Sequence, residues 1–206
     1  MAKILTETVK CALCGKDSEQ KYIASSSCTE EQDLDTRSYG SERSLLQYGI
    51  QVCPHCGFVS PVLNDNPNNV KLFDCSKDII GPSKIASNYI KLAQQFERVD
   101  NWTDAGYMYL RSAWVFDDEN NNEWAVRSRK EAARCFKIHV DNTEDGEIAM
   151  ILVDVYRRSN NFDEALNLIR EIGDTGYADY NEILKYQTEL CVNKDASIHT
   201  MAEAER

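Results

Sequence analysis

The chain has 206 residues, 42% of them hydrophobic and 28% charged, with a formal charge of −11. This is globular composition, with room for one large or two small domains. The charge argues against nucleic acid as a partner, because affinity for phosphate backbones comes largely from Lys and Arg. The longest apolar run, residues 148–153, is too short to cross a bilayer, so no membrane is expected either. The opening MAKILTETVK lacks the apolar core of a signal peptide. With eight cysteines, a reducing cytoplasm is the expected location.

In chain order the first feature is residues 9–16, VKCALCGK, a Cys-x-x-Cys-Gly turn. Its counterpart is residues 51–59, QVCPHCGFV. Each turn sets two sulfurs on one side of a tight loop, and the glycine that follows can take a left-handed backbone. Cys11, Cys14, Cys53 and Cys56 thus form a four-thiolate set, the donor pattern of a single structural Zn2+ with no open position for chemistry. Fe in a rubredoxin-like electron-transfer centre is the alternative metal, since four-sulfur tetrahedral sites suit both. A pair of disulfides is the remaining reading, and it finds no secretory context. His55 lies inside the second turn, where better ligands are already present. Cys28 and Cys75 lack a partner cysteine and a turn glycine. Cys135 and Cys191 fall at apolar helix positions and act as small hydrophobes.

Residues 20–24 and 45–52 read as strands, the second running into its knuckle. The polar stretch between them, residues 25–44, reads as a long loop. It carries Asp33, Asp35 and Arg37, which share a side if the segment is extended. An ion pair pinning the loop to the ribbon is the plain reading, and a polar recognition site is the sharper one. Catalysis by these carboxylates finds no companion base or nucleophile. Residues 61–69 are rich in turn formers, and Phe73 is expected to dock the following linker on the helices.

From Ser83, a helix cap after Gly81-Pro82, the periodicity is helical. Tyr89, Leu92, Ala93 and Phe96, then Ala105, Tyr109 and Ser112, follow the large-and-small pattern of a tetratricopeptide repeat. Ala149, Leu152, Val153 and Tyr156, then Ala165, Ile169 and Ile172, repeat it at the same internal spacing. An additional helix, residues 123–140, separates the copies, and a last helix over 177–192 caps the stack through Tyr180, Ile183, Leu184 and Leu190. A plain helical bundle would bury the same residues. On the additional helix Arg127, Lys130, Arg134 and Lys137 share one face. Such a run is ordinarily a solvated face; the functional reading is a seat for an acidic peptide, a C-terminal carboxylate or another anion.

The expected fold is therefore α+β: a zinc-ribbon domain over 1–75, a linker over 76–82, TPR-like helices over 83–195 and a flexible tail over 196–206. The order CALCG, DLDTR, QVCPHCGFV and TPR-like helices resembles a bacterial family catalogued as a domain of unknown function. Similarity spans residues 8–172. In that family DLD-x-R is typically followed by proline; Ser38 stands there in this chain. The resemblance implies Cys11, Cys14, Cys53 and Cys56 as ligands and no established reaction. The function expected is a non-catalytic adaptor that binds a protein partner on its helices. A ribbon that associates with nucleic acid is the alternative, although residues 1–75 hold more Asp and Glu than Lys and Arg. No phosphate-binding loop, dinucleotide turn, H-E-x-x-H or Cys/His nucleophile pair stands in the sequence, so no enzyme is expected.

Overall fold

The structure, a computed structural model, describes residues 2–71, 74–175 and 181–204, without the side chains of 28–30, 41, 42, 174 and 175. Phe73, Tyr180 and the expected start of the last helix lie outside the described residues. The layout is α+β, with antiparallel strand hairpins first and helices after.

Strands β1 (Lys3–Lys10) and β2 (Asp17–Ser25) pair from Lys10 opposite Asp17 out to Lys3 opposite Ser25. The first knuckle is the loop of this hairpin. β3 (Cys28–Gln32) and β4 (Ser38–Gly40) form a second hairpin inside the stretch expected to be loop, with the DLDTR residues at its tip. β5 (Gln51–Val52) and β6 (Val59–Ser60) flank the second knuckle. Only the end of the expected strand over 45–52 is extended. Leu46–Tyr48 is a 3-10 turn, held because the Tyr89 hydroxyl donates to the Leu46 carbonyl at 2.6 Å.

Seven helices follow among the described residues: α1 (Lys84–Glu97), α2 (Trp102–Asp118), α3 (Asn122–Thr143), α4 (Gly146–Arg158), α5 (Phe162–Thr175), α6 (Asn181–Val192) and α7 (Met201–Ala204). Ser83 caps α1 by accepting from the Ala86 N–H at 3.2 Å. Asn101, Asn121 and Asp145 cap the next three; each offers a side-chain oxygen to an N–H that the first turn leaves unpaired. The connections turn through Asp100, Asn120, Glu144 and Asn160, all with positive φ. Each helix from α1 to α5 packs on the next, and α5 on α6. A Cβ on Gly106 of α2 would stand 2.5 Å from the Phe136 ring, so glycine lets α3 approach this closely.

Two apolar clusters result. Val9, Phe58, Leu63 and Val70 surround Cys11 and Cys53. The other cluster runs through the helices and takes in Ile50 and Val59 from the strand region, so apolar packing crosses the expected linker. The stripes Tyr89-Leu92-Ala93-Phe96 and Ala149-Leu152-Val153 are buried as their spacing predicts.

The segment expected to be a flexible tail lies against the body as far as it is described. Leu34 N–H donates to the His199 carbonyl at 2.9 Å, and α7 packs on α6 and β3. The cause is Arg157, whose side chain is fully buried and needs acceptors. It donates to the Asp195 carbonyl at 2.6 Å and the Ser197 carbonyl at 2.9 Å. No described helix is long and apolar enough to cross a membrane.

Candidate metal centre and the buried ionic cluster beside it

The two knuckles are built alike. Gly15 N–H donates to the Cys11 carbonyl and Gly57 N–H to the Cys53 carbonyl, both at 2.9 Å. Both glycines are left-handed, with φ of 70° and 81°. At Gly57 a side chain is also excluded by space, because a Cβ would lie 2.6 Å from the Ser76 carbonyl oxygen. The knuckles thus present their sulfurs toward each other.

All four sulfurs lie within 4.8 Å of one another. Cys11 Sγ and Cys56 Sγ are 3.8 Å apart, and Cys14 Sγ and Cys53 Sγ are 3.6 Å apart. A disulfide needs about 2.05 Å, and all four cysteines are free. Tetrahedral coordination with metal–sulfur bonds of about 2.3 Å sets sulfurs about 3.8 Å apart. The donor set therefore fits a metal ion, and these residues could hold one. Burial opposes ionisation of Cys53, but the backbone N–H groups of Cys56 and His55 outweigh it and bring the thiol down to about 7. Burial and the neighbouring sulfurs push Cys56 up. His55 stands apart, with Nε2 3.2 Å from the Asp17 carbonyl oxygen. Cys75 packs beside the cluster, its thiol pushed up to about 11 by burial and by the charge of Asp74.

The DLDTR tip does not pin the loop to the ribbon. It is a tight turn, closed by Thr36 N–H to the Asp33 carbonyl at 2.8 Å and Asp33 N–H to the Arg37 carbonyl at 2.9 Å. Thr36 has φ of 68°, a conformation a β-branched residue rarely adopts. The turn inserts among the helices. Asp35 is wholly buried; its Oδ2 accepts from Trp114 Nε1 of α2 and from Arg158 Nη1 of α4, each at 2.8 Å. Arg37 donates to Asp118 Oδ2 at 2.6 Å and to the Arg43 carbonyl at 3.1 Å. Arg43 in turn donates to Asp33 Oδ2 at 2.8 Å. Arg129 of α3 clasps Asp117 with both terminal nitrogens, and Arg158 reaches the same carboxylate at 2.8 Å.

Carboxylates and guanidiniums balance in this cluster, but the balance is strained by burial. Burial pushes the Asp33 carboxyl up despite the Arg43 contact. For Asp117 burial is outweighed by the Arg129 hydrogen bonds, and the carboxyl lies below its ordinary range. Nε of Arg37, Arg129 and Arg158 are buried without a hydrogen-bond partner among the described residues. A buried ionic cluster with unpaired donors adds little net stability, although removing one of its partners is costly.

Of the predicted residues, the structure brings Cys11, Cys14, Cys53 and Cys56 together, and buries Asp33, Asp35 and Arg37 against helices. It leaves the basic face of α3 largely solvated. Arg134 pairs with Glu97 and Glu131, Lys137 pairs with Asp141, and Arg127 lies over the Trp124 ring. Arg127 and Lys130 are exposed. Arg129, Asp117, Trp114, Arg157 and Arg158 escaped the sequence reading. A signal for Arg129 was present: it shares the inward face of α3 with Ala125, Ala132 and Phe136.

Residues 4–77 match the family described as "Uncharacterized protein conserved in bacteria (DUF2225)". That span holds both knuckles and the hairpin tip and stops before α1, so the resemblance read over 8–172 is supported for its N-terminal part. No curated protein and no solved structure matches the chain.

Proposed function

We propose that this protein is a zinc-dependent, non-catalytic adaptor: a zinc ribbon locked onto tetratricopeptide-like helices that carry a protein partner. The observation behind it is the closed four-sulfur set, whose donors leave no coordination position for a substrate. The hairpin tip strengthens the reading. It fastens the ribbon to α2 and α4, so the metal centre serves as a rigid end-piece to the helix stack. The helices turn back on one another through Asp100 and Asn160, as stacked hairpin repeats do. Arg127 and Lys130 remain exposed as contacts for an acidic partner. The cytoplasm is the location in which four free thiolates persist.

Two measurements test this. Elemental analysis of the purified protein should give one zinc per chain; a red, redox-active protein containing iron would replace the adaptor with an electron-transfer module. Affinity purification should capture a protein that is lost on Arg127→Glu with Lys130→Glu. Salt-sensitive retention on DNA or RNA in its place would favour the nucleic-acid reading.

A further inference from the structure

A cavity of about 320 Å3 lies between the hairpin region and α1 and α2, away from the sulfurs. Arg37, Arg43 and Arg111 line it with Tyr89, Tyr107 and Trp114. Among the described residues no Asp or Glu lines it, in a chain whose formal charge is −11. Tyr107, Arg111 and Trp114 recur at helical spacing and share one face of α2. The charges of Arg37 and Arg43 are met by Asp118 and Asp33. Arg111 differs: it is half-buried and makes no hydrogen bond or ion pair among the described residues. Arg37, only 2% exposed, keeps a buried Nε without an acceptor. A Cβ on Gly49 would meet the Tyr89 hydroxyl at 2.5 Å, so glycine lets Tyr89 close this wall.

A half-buried cation without a counter-charge is costly, and guanidinium is the group best shaped to hold a carboxylate or phosphate. The volume is at the small end of sites that take metabolites. We propose that this cavity binds a small organic anion, a carboxylate or phosphate monoester on an apolar or aromatic body. Arg111 supplies the counter-charge, and Tyr107 and Trp114 supply the apolar contact. The site is independent of the adaptor reading, because it uses neither the sulfurs nor the exposed face of α3.

The test is an NMR titration of the zinc-loaded full chain, following the Trp114 indole N–H, with benzoate, phenyl phosphate, inorganic phosphate and neutral benzyl alcohol. At least one organic anion should bind saturably and tighter than benzyl alcohol by roughly tenfold or more. Which of benzoate and phenyl phosphate binds tighter distinguishes a carboxylate from a phosphate ligand. Arg111→Gln, which removes no partner among the described residues, should weaken that binding by a similar factor without lowering the melting temperature. Arg111→Lys should restore part of it. No saturation by either organic anion, equal binding of benzyl alcohol, or an unaffected Arg111→Gln variant would overturn the proposal. Inorganic phosphate binding as tightly as phenyl phosphate would overturn the apolar half.

Discussion

The knuckles and the hairpin tip each tie remote parts of the chain together, with bonds of opposite character. Cys14 and Cys53 are 39 positions apart, Asp35 and Arg158 are 123. The knuckles present identical donors that lie close enough to share one ion. The tip relies on unlike charges contributed by three helices, and some of their donors stay unpaired. An ion shared by the first arrangement would supply free energy; the second joins the strand region to α2 and α4.

Removing a sulfur tests the stronger side of that contrast. Cys53→Ser, or chelation, should cost on the order of 10 kcal/mol of ribbon stability, the scale of structural zinc in small domains. Because Ile50, Val59 and Asp35 are engaged with the helices, the helical transition should fall in temperature as well. Circular dichroism melts of the metal-loaded and metal-free protein would show it; an unmoved helical transition would mean that the tip does not couple the two regions.

Asp35→Ala comes next. It strands the Trp114 N–H and leaves the buried Arg158 guanidinium with Asp117 alone, at an expected cost of about 3–5 kcal/mol. Urea unfolding of this variant, Arg158→Ala and the double variant should give a coupling of about 0.5–3 kcal/mol, and additivity would dissolve the contact.

Acid sharpens the comparison at smaller scale. Asp117 has a folded pKa below its ordinary value of 3.8, so the stability it contributes is complete above that value and is lost as pH falls through the folded one. Asp33 has the opposite sign. Its folded pKa is raised, so it subtracts stability at neutral pH and that cost fades on acidification. Stability measured from pH 7 downward should therefore rise slightly as Asp33 takes up its proton and then drop below about pH 4, and Asp117→Asn should flatten the drop. Least of all, Arg134→Gln should change stability by about 0.5 kcal/mol or less, since its ion pairs are largely solvated.

The ease with which these regions can be read from sequence follows the same divide. Cys-x-x-Cys-Gly is a local pattern, and its chemistry leaves few geometries open. The helices declare themselves through Ser83, Asn101 and the periodic burial of Tyr89, Leu92 and Ala93. Asp35 is different. Nothing within its own segment says that it is wholly buried, because its partners stand on α2 and α4. β1 was missed for a related reason: most of its residues are exposed, so no buried face marks it. The basic run on α3 is the solvated face that its spacing suggests, while Arg129, between Arg127 and Lys130 in sequence, points inward.

Arg157 and Arg158 stand side by side at the end of α4, one holding residues 195 and 197, the other Asp35. During synthesis the knuckles can close early, yet Asp35 must wait for a partner 123 positions downstream. At about 5–20 residues per second that interval is roughly 6–25 s. Throughout it Asp35 lacks Arg158, and until α2 is made it lacks Trp114 as well. A nascent chain stalled short of α4 would carry the hairpin tip without Arg158, and a translation pause in this stretch would prolong its exposure to whatever else binds carboxylates in the cell.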